Sequence, residues 1–211
     1  MKLTEIADMV AAQVPLCPLP LVLAQSRWAV KEFLSRSRAW MAELDGEWSD
    51  ERPEVRLECP DGAEPVYLYH VKVGDRTLAH FDGDAAPWRS SKQVNPRGPS
   101  TWRFANGTLE LWPYLEDSEG NGPLFKVKAL AALSVDRRAV CVPDWLDIDD
   151  ISYGALGKLL DMAGQTWSNP SLAAYFTEKF EEAIAAKRIE RMHGGKPGTL
   201  IIKTPHVGGY F

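Results

Sequence analysis

The chain has 211 residues, of which 45% are hydrophobic and 25% are charged, and its formal net charge is −5. Enough apolar surface is present to bury a core, so this composition argues for a folded chain and against disorder. No apolar run approaches the ~18 residues of a membrane span, and the N-terminus lacks the basic start and apolar stretch of a secretory signal. The acidic balance argues against a dedicated nucleic-acid-binding protein, which usually carries a basic excess.

The N-terminal part of the chain predicts two helices joined by a proline-rich turn. Residues Leu3 to Val14 carry apolar side chains at helical spacing, and Pro15 and Pro18 then force an extended turn. A second helix is predicted from about Pro20 to Ser37. Both helices have one apolar side, so we expect them to pack in a core.

The second predicted helix carries a row of basic residues, Arg27, Lys31 and Arg38, whose spacing places them on one face. Two interpretations are open. Such rows are usually solvated faces. Alternatively, this row contacts an acidic neighbouring subunit or DNA passing along a channel.

From Asp45 to Val142 the sequence predicts a small antiparallel sheet. The run from Val66 to Val73 alternates in polarity and ends in a turn. Asn106-Gly107 between two apolar runs is a strong hairpin signal, and the run from Leu124 to Val135 predicts a longer strand.

Within this region, residues 84–100 read as a loop rich in proline and serine. Long loops without secondary structure are usually functional or disordered. Trp88 favours docking onto another subunit, because an indole gains much on burial. Trp88, Arg89 and Arg97 are therefore candidate docking residues, with plain disorder as the alternative.

The C-terminal part predicts two further helices joined by an elbow. The first spans about Asp150 to Met162, and its Gly154 and Gly157 suggest the close approach of another backbone. In the elbow, Ser168 is the expected N-cap of a long second helix that runs to His193. An apolar stripe recurs every four residues along this helix at Leu172, Phe176, Phe180 and Ile184.

Residues 196–211 are expected to form an extended tail. Tails are usually disordered, but this one is apolar and suits strand addition onto a neighbouring molecule. Its candidate contact residues are Leu200, Ile201, Ile202, Tyr210 and Phe211.

The sequence contains no motif that indicates catalysis. The four histidines lack the spacing of a metal site, and the three cysteines are too scattered for a zinc site or a disulfide framework. No nucleophile elbow or phosphate-binding loop is present. We therefore expect no enzyme activity, no metal and no cofactor.

Two blocks at the ends of the chain carry a family resemblance. The first block is Val14-Pro15-Leu16-Cys17-Pro18-Leu19-Pro20, followed by a helix with Arg27, Ala29, Glu32 and Phe33, and then by Trp40. The second block is Leu159-Leu160-Asp161-Met162, Trp167-Ser168-Asn169-Pro170, Leu172-Ala173-Ala174-Tyr175 and Phe180. In these blocks the chain resembles phage head-to-tail adaptor (neck connector) proteins related to the tail tubular protein A type.

This resemblance implies a structural protein of the virion neck that assembles in the host cytoplasm. The subunits would form a ring, dodecameric in related adaptors, between the portal protein and the tail tube, nozzle or other tail protein. The ring would line the DNA exit channel, and double-stranded DNA would pass it without specific binding. The alternatives are another phage tail or baseplate subunit, or a small nucleic-acid-binding module.

The predicted fold class is α+β. Residues 1–44 and 143–195 would form a helical core of three or four helices with a long C-terminal helix. Residues 45–142 would form an inserted, small antiparallel β-domain, and residues 196–211 the extended tail.

Overall fold

The computed structural model describes residues 1–49, 54–81, 98–113 and 124–192. The helices in these ranges are α1 (Leu3–Gln13), α2 (Leu19–Ser37), α3 (Ile148–Leu160) and α4 (Pro170–Met192). The strands are β1 (Met41–Ser49), β2 (Glu54–Leu57), β3 (Ala63–Val73), β4 (Arg76–Thr77), β5 (Ala79–His80), β6 (Thr101–Ala105), β7 (Thr108–Trp112) and β8 (Leu124–Val135).

All eight strands form one sheet, in the order β4-β3-β8-β1-β2-β7-β6-β5. Its two outermost strands, β4 and β5, are consecutive in the chain and are separated only by Leu78. The Leu78 N–H donates to the carbonyl of Val71 in β3 at 2.9 Å, and the Ala79 N–H donates to the carbonyl of Ser100, just before β6, at 3.0 Å. One short segment, residues 76–80, thus forms both ends of the strand order, and the sheet nearly closes on itself.

The expected fold class, a helical core with a small inserted antiparallel β-domain, is wrong. The sheet is mixed, because β5 and β6 run parallel. It also encloses a large core of its own, which includes Trp48, Trp102 and Leu111, and strands dominate the interior of the protein. The physical reason is long-range pairing: β1, next to the N-terminal helices in sequence, pairs with β8 over its whole length and makes one continuous sheet.

No strand is expected from the sequence at β1, which crosses the predicted boundary at 44/45. Its burial nevertheless alternates, since Leu44 and Trp48 are buried whereas Glu43, Asp45 and Glu47 are exposed. Acidic residues are depleted in strands, so their presence at every second position conceals the pattern. Treating them as the outward face of a period-two alternation reveals the strand.

Several local predictions are confirmed. The three helices expected at 3–14, 20–37 and 150–162 correspond to α1, α2 and α3. Asn106-Gly107 joins β6 to β7 in an antiparallel hairpin, and both residues have a positive φ, of 53° and 78°. The long strand expected from Leu124 to Val135 is β8.

The four helices pack as a layer with its own hydrophobic core, and α2 attaches this layer to the sheet through β8. The last five residues of β8, Ala131–Val135, are all buried, because the helical layer covers the face that would otherwise be exposed. At this contact the Ser134 hydroxyl donates to the carbonyl of Lys31 in α2 at 3.1 Å.

The two glycines of α3 allow α4 to approach closely, as the sequence predicts. A Cβ at Gly157 would lie 3.3 Å from the backbone nitrogen of Thr177, and 2.7 Å from its Oγ1. A Cβ at Gly154 would lie 2.7 Å from the ring of Phe180. These contacts bring α3 and α4 together along the stripe of α4 that faces the core.

Candidate interaction surfaces

The turn between α1 and α2 is an apolar elbow on the surface. Its conformation is fixed from inside, because Val14 and Cys17 are buried and the Cys17 N–H donates to the Val14 carbonyl at 2.9 Å. The residues between and after these anchors point outward, and Leu16 and Leu19 are 69% and 53% exposed. The segment from Pro15 to Pro20 has no charged side chain. Water therefore covers an apolar surface here that a partner would bury favourably.

The elbow between α3 and α4 differs in detail from the sequence prediction. Asn169, and not Ser168, caps α4, because the Leu172 N–H donates to the Asn169 side-chain oxygen at 3.1 Å. The Ser168 hydroxyl instead donates to the carbonyl of Leu160 at 3.3 Å, and the Asn169 N–H donates to the same carbonyl at 2.9 Å. Both residues thus tie the start of α4 to the end of α3, which fixes the angle between the helices.

Helix α4 presents apolar residues on two sides. Its core-facing stripe consists of Ala173, Phe176, Phe180 and Ile184. The expected stripe member Leu172 is 40% exposed and does not belong to it. On the opposite side, Tyr175 and Ile189 are 51% and 44% exposed, about 21 Å apart along the axis at ~1.5 Å per residue. This outward face of α4 is a second candidate contact surface.

The predicted basic face of α2 is largely occupied by contacts within the chain. The Lys31 ammonium lies 2.6 Å from the carboxylate of Glu64, and the Arg38 guanidinium lies over the Tyr67 ring at 3.8 Å from its centroid. Both partners belong to β3, so these two residues fasten α2 to the sheet. Arg27 is exposed.

The candidate docking residues Trp88, Arg89 and Arg97 lie outside the described residues. The same holds for the candidate tail contacts, which are Leu200, Ile201, Ile202, Tyr210 and Phe211. The last described turn of α4, which precedes these residues, is held against the sheet. Arg191, in the last turn of α4, lies over the Tyr69 ring of β3 at 5.1 Å and donates to its hydroxyl.

A groove opens beside β2, where this strand changes partner. Glu54 and Val55 pair with β7, whereas Arg56 and Leu57 pair with β1 on the other side. Beyond Val55, β2 and β7 therefore diverge and leave a cavity of about 570 Å³. The cavity, called the β2 groove below, is lined by Glu54, Val55, Arg56, Leu57, Cys59, Pro65, Gly107, Thr108 and Leu109.

Burial shifts the pKa values of several titratable groups among the described residues. Burial raises the pKa of the Cys17 thiol, and burial together with the charge of Glu64 raises that of Cys59. Both shifts disfavour the reactive thiolate. Burial, reinforced by Asp147, also raises the pKa of Asp150. Across residues 1–49, 54–81, 98–113 and 124–192, no group of three or more His, Cys, Asp or Glu side chains has the geometry of a metal site.

Within the described part of the chain, no helix combines the length and the apolar character that crossing a bilayer requires. No known protein family matches the sequence, and no curated protein matches it.

Proposed function

We propose that this protein is a structural subunit of a phage virion, a head-to-tail adaptor that forms a ring between the portal and the tail. The subunit performs no chemistry. It assembles in the host cytoplasm and then resides in the neck, where the ring lines the path of the DNA.

The observation that carries this proposal is the exposed apolar surface of the helical layer. Leu16 and Leu19 on the α1–α2 elbow, and Tyr175 and Ile189 on the outward face of α4, are large side chains that the subunit leaves in water. These exposed apolar side chains lie at two different places on one chain. Such an arrangement suits a heterologous contact, in which one surface of each subunit meets the other surface of the next. Repetition of such a contact closes a ring when its rotation divides a full turn, and the proposed adaptor is a closed ring of this kind.

The two resemblance blocks supply a second support. They come from opposite ends of the chain, and their buried residues, including Cys17, Phe33, Leu160 and Phe180, share one hydrophobic cluster. Each block also forms an elbow of the same helical layer. The pairing of the blocks in the sequence therefore corresponds to one physical unit.

The alternative of a nucleic-acid-binding module receives less support. Of its three basic residues, Lys31 and Arg38 already contact β3 of the same chain. The net charge of −5 further opposes binding to phosphate. DNA that slides past without sticking fits this charge better than DNA that is held.

The test is to mix the purified full-length chain with the portal protein of the same phage and to image the product. We expect rings of this chain on one face of the portal. The double variant Tyr175→Glu/Ile189→Glu should abolish the rings while it leaves the fold intact, because both side chains are exposed. The matched control Thr4→Glu/Ala12→Glu adds the same two charges at exposed positions of α1 and should assemble normally.

Failure of the unaltered chain to bind the portal would contradict the adaptor function. Tight binding of the free monomer to DNA, weakening steeply with added salt, would favour the nucleic-acid module instead. Rings that form on a tail or baseplate protein, with no affinity for the portal, would support the other structural role.

A further inference from the structure

We propose that the β2 groove receives an extended strand from a second copy of this chain, and that the strand is the tail segment Thr199–Lys203. The inference rests on the proposed ring function and names the contact by which one subunit holds the next. It is independent of the apolar surfaces on the helices, because the groove lies on the sheet.

The backbone around the groove has the form of an open sheet edge. Past the pair Val55–Leu109, the ladder between β2 and β7 stops, although Arg56 and Leu57 continue in strand conformation. Within the described residues, the side of Arg56 and Leu57 that faces the groove has no ladder partner, and Gly107 and Thr108 form the opposite wall. An unpaired edge of this kind binds an added strand through main-chain hydrogen bonds.

The side chains around the groove specify what kind of strand fits. Val55 and Leu109 form an apolar floor, being 3% and 1% exposed. Leu57, Cys59 and Pro65 are half-buried and add an apolar wall. A volume of about 570 Å³ lies within the range of ~300–1,000 Å³ that binding sites usually have. An extended aliphatic segment of a few residues meets these conditions.

The segment Thr199-Leu200-Ile201-Ile202-Lys203 has this composition. Alternate side chains of a strand point to opposite faces, so Leu200 and Ile202 share one face while Ile201 takes the other. Lys203 follows the aliphatic run and suits the carboxylate of Glu54, an exposed residue that lines the groove. The other described stretches of comparable apolar character, such as β8, are already paired in the sheet.

The length of the tail allows it to reach a neighbour. Helix α4 is fastened to β3 through Arg191, so the described chain ends at Met192 beside the sheet. From Met192 to Thr199 an extended chain spans up to ~25 Å, enough to leave one subunit and enter a groove on the next. Each subunit then gives one strand and receives one, as a closed ring requires.

The native thiol of Cys59 in the groove permits a direct test by disulfide trapping. The full-length variant Ile201→Cys, with the exposed Cys141→Ser to remove background, is treated with a mild oxidant, alone over a range of concentrations and together with the portal. The two thiols lose two protons and two electrons to the oxidant when the disulfide forms. We expect covalent ladders of several chains on a non-reducing gel.

The matched control carries Val207→Cys in place of Ile201→Cys, so that the new thiol lies in the same tail but outside the strand. We expect at least about fivefold less cross-linking from this variant, because its new thiol is tethered near Cys59 of the neighbouring copy but is not held in contact with it. Equal cross-linking of both variants, or none, would overturn the groove assignment. A cross-link confined to single chains would overturn the assignment to a second copy.

A second measurement needs no added cysteine. In the full-length chain with only Cys141→Ser, alkylation of Cys59 should slow by about tenfold or more on assembly, because the inserted strand covers the thiol. An unchanged rate in assembled rings would contradict strand insertion while leaving the adaptor function intact. Absence of rings altogether would instead contradict the proposed function, so the two failures are distinguishable.

Discussion

The helical layer and the sheet of this protein are stabilised in different ways. In the helical layer, aromatic residues from two helices meet at one point: the Phe180 ring lies 6.2 Å from that of Trp28 and 6.1 Å from that of Phe33. In the sheet, closure depends on the short segment Arg76–His80, which pairs with β3 through β4 and with β6 through β5. The stability of the helical layer therefore depends on side-chain packing at its centre. The closure of the sheet depends on hydrogen bonds at the segment Arg76–His80, which is called the seam.

This difference teaches where each region is vulnerable. Loss of a central side chain should destabilise the helical layer as a whole, because a cavity there has contacts on every side. Loss of a seam residue should open the sheet locally before it unfolds the protein, because only a few hydrogen bonds hold the two ends together. The three predictions below test this contrast.

Replacement of Phe180 by Ala should have the largest effect. Phe180 is 3% exposed and contacts both Trp28 and Phe33, so its removal leaves a cavity. We expect the free energy of unfolding to fall by ~3–5 kcal/mol, measured by urea denaturation. Tyr175→Ala on the exposed side of the same helix should change it by less than ~0.5 kcal/mol. An unchanged stability in Phe180→Ala would mean that this stripe is not part of the core.

Replacement of Leu78 by Ala should cost ~2–5 kcal/mol, because this side chain is only 5% exposed at the point where the sheet closes. The informative measurement is amide exchange. The Ala79 N–H donates to the carbonyl of Ser100, and the Phe81 N–H donates to that of Trp102 in β6. These two N–H groups should lose protection more than those of the central strands. Thr77→Ala, at an exposed neighbouring position, serves as the control. Uniform loss of protection throughout the protein would show that the seam is no weaker than the rest of the sheet.

Replacement of Glu181 by Gln should have the smallest effect and should depend on pH. The Arg36 guanidinium donates to the Glu181 carboxylate at 2.6 Å and lowers its pKa below the usual 4.5. Stability from this pair is therefore present well above pH 4.5 and is lost as the pH falls through the lowered pKa of the folded state. Both side chains are nearly half exposed, so the difference between Glu181→Gln and the unaltered chain at neutral pH should be below ~1 kcal/mol.

The control for this pair is Glu178→Gln, an exposed carboxylate one turn earlier on the same helix. Melting temperatures across a pH series should separate the two variants most above about pH 4.5 and converge below the lowered pKa of Glu181. A difference that persists in strong acid would contradict the linkage, since protonation removes the carboxylate charge in both proteins.

The candidate surfaces were only partly accessible to prediction from the sequence. The apolar elbow at Pro15–Pro20 is visible in the sequence, but its burial pattern, with Cys17 inside and Leu16 outside, requires the structure. The spacing of Arg27, Lys31 and Arg38 suggests one basic face, yet Lys31 and Arg38 contact β3. A local sequence pattern cannot predict these contacts, because Glu64 and Tyr67 are distant in sequence from Lys31 and Arg38.

The β2 groove could not be found in the sequence for a related reason. The groove exists because β2 pairs first with β7 and then with β1. Strand β7, which forms the opposite wall, is distant from β2 in the chain. Thr108 and Cys59 carry no signal of proximity in the sequence. A change of pairing partner is a property of the whole sheet.

Local sequence patterns were sufficient to predict the four helices, the Asn106-Gly107 hairpin and the close approach permitted by Gly154 and Gly157. These features follow from side-chain periodicity, turn geometry and the absence of a Cβ, which act over a few residues. The pairing of β1 with β8, the closure of the sheet at Leu78 and the dominance of strands in the interior depend on the tertiary structure. Hydrogen bonds between strands can join any two edges of the chain, so the choice among pairings depends on how the whole core packs.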